Sequence, residues 1–207
     1  KAYWGNLPNI MVIPNAISDI PAETALLENK KVIAVGRYTY QKGFERLVDA
    51  WHLLASRFPD WKLDIIGDGE ERPLLKQRIH AYGLDRQVTL TRPTLEIGKA
   101  YLETSILASS SRYEGLPMVL LEAQSFGIPI VAFQCKCGPK DVVSDGINGY
   151  LVPEGDIAGM SQRLETLMKD VTLRKRMGLK AKESASRFNE EAIMEKWMNT
   201  FQTLAGR

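Results

Sequence analysis

Short apolar runs alternate with longer amphipathic stretches along most of the chain. Residues 31–36 (KVIAVG) form a brief apolar run ending in Gly. Behind it Phe44, Leu47, Val48, Trp51, Leu54, Ala55 and Phe58 recur at helical spacing, which predicts an amphipathic helix over 42–58. Residues 62–67 (KLDIIG) read as the next strand, closed by Gly67-Asp68-Gly69, and Leu74, Leu75, Ile79 and Tyr82 mark a second helix. The pattern continues with a strand at 87–91 (QVTLT), a short helix at 95–103 and a strand at 105–110 (SILASS). A helix comes next over 117–126, with Pro117 in its first turn, where a missing N–H costs nothing, and Gly127 as its stop. Residues 129–133 (PIVAF) and 149–152 supply two more strands.

After Pro153 the periodicity is helical only. Residues 156–169 form one helix, and Met177, Ala181, Ala185 and Phe188 stripe another. Ile193, Trp197, Phe201 and Leu204 stripe a last one. Such alternation predicts an α/β fold: a Rossmann-like, doubly wound parallel sheet of about six strands with helices on both faces and extra C-terminal helices. The expected boundaries are a connector over 1–20 carrying Pro8 and Pro14, a Rossmann-like domain over 21–188, and a terminal helix over 189–207. Ligands of such sheets bind at the carboxyl ends of the strands. The turns after Gly36, Gly67, Thr91, Ser110 and Phe133 are therefore where chemistry is expected.

Composition narrows the classes. The chain has 207 residues, 44% hydrophobic and 25% charged, with a net charge of +2. That is a globular profile without the basic excess of a nucleic-acid binder. No apolar run is long enough to cross a bilayer. The opening Lys1-Ala2-Tyr3-Trp4-Gly5 lacks an initiator Met and a signal-peptide core, which suggests a fragment or a processed chain. Cys135 and Cys137 are too few for a structural zinc site and poorly spaced for a disulfide. Idle thiols fit a reducing cytosol, so a cytoplasmic location is expected.

The segment Arg112-Tyr113-Glu114-Gly115-Leu116-Pro117-Met118-Val119 carries the strongest local signal. A strand ends, a Gly-containing turn follows, and a helix begins. The free N–H groups of its first turn, with roughly half a positive charge from the macrodipole, make an anion site. Gly115 lets the backbone approach a ligand closely. Glu114 and Glu122 flank this site as hydroxyl acceptors. An anion site between two such acceptors suits a sugar, a diphosphate and a ribose in line. A solvated helix-start Glu pair is the plainer alternative on pattern alone. Gly67 and Gly69 do not begin a dinucleotide fingerprint, because the third glycine position holds Arg72.

The stretch from Glu114 to Glu122, worded EGLPMVLLE, resembles the E-x7-E motif of family-4 glycosyltransferases. Gly36-Arg37 with Lys42-Gly43 resembles the G-R-x4-K-G element of that family, and Gly67-Asp68-Gly69 its G-D-G turn. Asp145-Gly146-Ile147-Asn148-Gly149-Tyr150-Leu151-Val152 resembles its D-G-x-N-G-x-L-V element, and Val12-Ile13-Pro14-Asn15 its entry into the C-terminal domain. The elements stand in family order.

The resemblance implies the C-terminal, donor-binding half of a two-domain GT-B enzyme, with the acceptor-binding N-terminal domain missing and the last helix crossing back to it. It implies that Arg37 and Lys42 clamp a diphosphate, a fork and a point charge suited to phosphate oxygens. Glu114 would hold donor-sugar hydroxyls and Glu122 those of the ribose, while backbone near Gly36, Gly115, Leu116, Met118 and Val119 faces the phosphates. Thr91-Arg92-Pro93 would pack the base. The family usually has Gly in that turn, so Arg92 leaves the base open. Gly138-Pro139-Lys140-Asp141 would start another helix near the sugar.

The implied reaction is hexose transfer from a nucleoside-diphosphate sugar, with UDP-hexose as the expected donor. The acceptor would be a glycan or a lipid-linked sugar in cell-surface polysaccharide synthesis. The implied transfer retains the anomeric configuration and needs no cofactor and no metal; the chain has no D-x-D motif. A non-catalytic nucleotide-sugar-binding module and an epimerase of the same architecture are the alternatives. Lys169, Arg174, Lys175, Arg176, Lys180, Lys182 and Arg187 read as a solvated basic face, or as a peripheral contact with anionic lipid at the inner membrane face.

Overall fold

A computed structural model describes residues 10–18 and 20–205. The opening run Lys1-Ala2-Tyr3-Trp4-Gly5 and Pro8 of the expected connector lie outside the described residues.

The elements occur in the predicted order. They are β1 (Lys31–Val35), α1 (Phe44–Ala55), β2 (Lys62–Ile66), α2 (Arg72–Ala81), β3 (Val88–Thr91), α3 (Ile97–Leu102) and β4 (Ile106–Ser109). Then come α4 (Met118–Ser125), β5 (Ile130–Gln134), α5 (Pro139–Val142), β6 (Gly149–Pro153), α6 (Ile157–Lys169), α7 (Val171–Ala185) and α8 (Glu190–Ala205). The strands pair in parallel in the order β3-β2-β1-β4-β5-β6. This is the Rossmann-like fold. Its connections reverse direction between β1 and β4, where a crevice opens beyond the strand ends.

The strands are mostly apolar because both faces of the sheet are covered. In β1, Val32 and Ala34 join a core with Leu47, Trp51 and Leu54 of α1 and Met160 and Leu164 of α6. Ile33 points the other way, into a core with Tyr101, Leu120, Leu121 and Phe188. Burial of a side chain such as Leu47 or Leu54 stabilises the fold by about 1.5–3 kcal/mol. The starts of α6 and α7 are capped by Asp156 and Asp170, which accept from Gly159 N and Leu173 N at 2.8 Å.

The structure departs from the periodicity at three places. Gly43 has φ 59, so α1 begins at Phe44 and Lys42 stays in the loop instead of opening the helix. Pro117 precedes α4 in an extended conformation (φ −76, ψ 93), and the first helical residue is Met118. Phe188 is buried in a 3-10 turn, Ser186–Phe188, after α7 has ended. That turn meets the start of the described chain: Ile17 N donates to Phe188 O at 2.7 Å, and Ile17 bridges to Asn189.

Arg174 is a correction to the solvated basic face. It is 4% exposed. Its guanidinium donates to Leu27 O at 3.0 Å, Leu167 O at 2.6 Å and Met168 O at 3.1 Å, and stacks over Trp61. The cation is drawn inward because three carbonyls at the α6–α7 junction and the Leu27 loop lack helical partners. Lys182 likewise donates to Pro21 O and Glu23 O, while Lys169, Lys175 and Lys180 pair with Glu165, Glu28 and Glu183. Arg174→Ala would strand those carbonyls at a cost of about 3 kcal/mol or more. The melting temperature should fall by roughly 6–12 °C in thermal unfolding, whereas Arg176→Ala, at an exposed position, should leave it nearly unchanged.

Candidate active site

Three loops meet beyond the carboxyl ends of β1, β4 and β5. The loop after β1 is anchored by Tyr38, which is fully buried and donates its hydroxyl to Ile65 O at 2.7 Å and to Thr91 O at 3.0 Å. Burial pushes this phenol up to about 12, so it stays a donor and ties the ends of β2 and β3 to the β1 loop. Next to it Gly67 is required by contact alone: a Cβ there would lie 1.8 Å from Gly36 O. The G-D-G turn is thus pressed onto the turn that carries Arg37.

The loop after β4 is stitched to the loop after β1. Arg112 N donates to Gln41 O at 2.8 Å, Gln41 Nε2 to Tyr113 O at 3.1 Å, and Ser110 Oγ to Lys42 O at 2.9 Å. These bonds bring Lys42 Nζ to 2.6 Å from Glu114 Oε1, although 72 residues separate them. Ser111 Oγ donates to the same oxygen at 2.7 Å. The Lys42 and Glu114 side chains are 18% and 8% exposed, so the pair is shielded from much of the screening that weakens surface ion pairs.

The third loop, after β5, closes in at Gly138, whose φ is +91. A Cβ there would lie 2.5 Å from Gly115 O and 2.7 Å from Pro117 Cδ. Cys135 in this loop is buried, its thiol pushed up first by burial and then by the Glu114 charge. Cys137 is a free thiol beside it.

A cavity of about 380 Å³ opens at the crevice, lined by Gly36, Arg37, Asp68, Pro93, Ile97 and Glu122 among others. Arg37 is exposed there. Glu122 comes from α4 and accepts from Tyr101 Oη at 2.9 Å. The Lys42 stem packs on Gly36 of the cavity wall, within 3.1 Å of where a Cβ would be, and its amine turns to Glu114. Arg37 and Glu122 thus line one cavity, and Lys42, paired with Glu114, packs its stem on the cavity's Gly36.

The other positions predicted from sequence divide between core and surface. Leu116, Met118 and Val119 are half-buried and pack against the core. Gly115 is exposed, and a Cβ on it would meet nothing within 4 Å. Arg92 is exposed at the end of β3, and the cavity wall there is made by Pro93 and Thr94. Sequence reasoning did not single out Asp68, Ile97, Tyr101 or Ser111 as site residues. Ser111 stands three residues before Glu114, so spacing carried a signal for it, whereas Tyr101 meets Glu122 across 21 residues and carried none.

Residues 17–184 match the family described as glycosyl transferases, group 1. The chain belongs to that family. This group 1 domain is 36% identical over 200 residues to the amylovoran biosynthesis glycosyltransferase AmsD of Erwinia amylovora, covering 93% of this chain and 56% of the relative. It is 29% identical over 199 residues to the poly(ribitol-phosphate) alpha-N-acetylglucosaminyltransferase of Staphylococcus aureus, covering 96% of this chain and 40% of that protein. A crystal structure of a mutant S. aureus TarM in complex with Fondaparinux, alpha-GlcNAc-glycerol and UDP superposes with a TM-score of 0.86 at 29% identity. It aligns with 95% of this chain and 40% of that one. The chain spans about half the length of the curated relatives it matches first.

Behind the site of this group 1 domain lies a second charged layer. Glu45 accepts from Arg112, whose guanidinium also bonds Tyr40 O and covers the Tyr40 ring. Glu45 Oε2 and Glu71 Oε2 are buried there without hydrogen-bond partners. Burial, and then the Glu45 charge, raise the Glu71 carboxyl above its ordinary value. Folded protein holds this proton more tightly than unfolded chain does. The linked stability is thus full below the ordinary carboxylate value and lost as pH rises through the raised one. Glu71→Gln should raise the melting temperature at pH 7, and the gain should shrink toward pH 4 when thermal unfolding is followed across pH.

Proposed function

We propose that the chain is the donor-binding half of a retaining hexosyltransferase whose remaining part binds the acceptor. One observation carries this reading: Arg37 and Glu122 share a cavity at the β1–β4 switch point, and Lys42, paired with Glu114, packs its stem on Gly36 of its wall. A nucleoside-diphosphate sugar presents two phosphates between two sets of hydroxyls. Arg37 and Lys42 take the phosphates, Glu122 the ribose hydroxyls and Glu114 the hydroxyls of the sugar near its reacting carbon.

When the bond from the sugar to the diphosphate breaks, negative charge grows on the leaving group. Arg37, Lys42 and the first-turn amides of α4 meet that charge as fixed, preorganised groups. In this reading they do the work that a metal ion does elsewhere, so transfer proceeds without one. Lys42 has a second task, since it neutralises the nearly buried Glu114 when no donor is present. UDP is the favoured nucleotide, supported by its presence in the TarM complex.

The acceptor is a glycan or lipid-linked sugar of cell-surface polysaccharide synthesis, as the names of the relatives suggest. The acceptor domain lies against α8, whose Trp197, Met198, Phe201 and Leu204 are exposed in one stripe. Residues 1–20 and 189–207 connect to it, consistent with the Ile17–Asn189 bridge. The work is done on the cytoplasmic side, with Arg176 and Arg187 among the cations available to anionic headgroups at the membrane. No helix among the described residues is long and apolar enough to cross a membrane.

A charge-assisted hydrogen bond contributes roughly 1.5–3 kcal/mol, and each 1.36 kcal/mol is about tenfold in rate. In the full-length enzyme Arg37→Ala and Lys42→Ala should each lower kcat/KM with UDP-hexose by about ten- to a hundredfold. Near-full turnover in both variants would remove the clamp from the mechanism.

A further inference from the structure

Helix α3 is six residues long, yet it reaches the site twice. Ile97 lines the cavity. Tyr101, four residues on and so on the same helical face, is fully buried and packs on Phe126 with ring centroids 5.2 Å apart. Phenylalanine would fill that apolar space equally well. A buried hydroxyl instead carries a desolvation cost unless it is bonded. The partner of Tyr101 Oη is Glu122 Oε2 at 2.9 Å, on the carboxylate that lines the cavity. Burial and then the Glu122 charge push the phenol well above its ordinary value, so it donates at every working pH.

The last torsion of a glutamate side chain is broad, so an untethered carboxylate turns freely. Oε2 held from the buried side stops that turning. We infer that Tyr101 is a positioning residue for a ribose diol: it fixes the carboxylate of Glu122 so that its remaining acceptor sites meet two vicinal hydroxyls together. The inference rests on the assignment of Glu122 to the ribose. It adds that the site distinguishes a ribonucleotide from one lacking those hydroxyls, and that a residue which never touches the ligand sets how well it does so.

Calorimetry on the full chain with UDP and with 2′,3′-dideoxy-UDP tests this. Wild type should prefer UDP, and Glu122→Ala should abolish the preference. Tyr101→Phe, which keeps the ring packing, should cut the preference by about three- to tenfold and leave the affinity for the dideoxy analogue unchanged. If Glu122→Ala loses the preference and Tyr101→Phe keeps it, or weakens both ligands alike, Tyr101 is only a packing residue and the inference fails while the ribose assignment stands. A wild type that does not prefer UDP, or a Glu122→Ala variant that still does, overturns the ribose assignment and the inference with it.

Discussion

The ion pair between Lys42 and Glu114 depends on almost every other feature of this domain. It needs β1 and β4 side by side, which the reversal of strand order provides. It needs Lys42 outside α1, which the left-handed Gly43 ensures. It also needs the β1 and β4 loops held at hydrogen-bonding distance by Gln41, Ser110 and Arg112. A cation and a carboxylate meeting in a largely shielded crevice attract strongly, but each also loses hydration there. Ser111 offsets part of that cost by donating to the same carboxylate oxygen.

Rigidity at the crevice comes from contacts that leave no space. Gly67 lies so close to Gly36 O that no side chain fits, and Gly138 presses on Gly115 O and Pro117 in the same way. Tyr38 binds the ends of two strands from beneath. The groups that would face a ligand are thus set on a frame that cannot easily shift. Preorganisation of this kind makes fixed charges effective against charge that develops during a reaction.

The buried hydrogen bonds divide the polar residues by task. Arg174 spends its guanidinium on carbonyls of the framework, far in sequence from the crevice. Tyr101 reaches the crevice only through Glu122. Glu71 and Glu45 lie in a layer behind it, where buried acceptor oxygens without partners cost stability. Helix α8 carries a run of exposed apolar side chains, Met194, Trp197, Met198, Phe201 and Leu204.

Much of this was legible in the sequence. Short apolar runs, the period of 3.6 in amphipathic stretches and the punctuation by Gly and Pro are local properties, and they sufficed for six parallel strands and their helices in order. The helix start between Glu114 and Glu122 was legible too; Glu122 lines the cavity, and Glu114 pairs with Lys42. Tertiary structure alone decided that Lys42 pairs with Glu114, that Tyr101 holds Glu122, that Arg174 is buried, and that Pro93 and Thr94 form the wall beside an exposed Arg92. Periodicity says which side of its own element a residue occupies. It is silent on which distant loop lies opposite, because that is set by strand order and by the close packing of turns that share no local sequence.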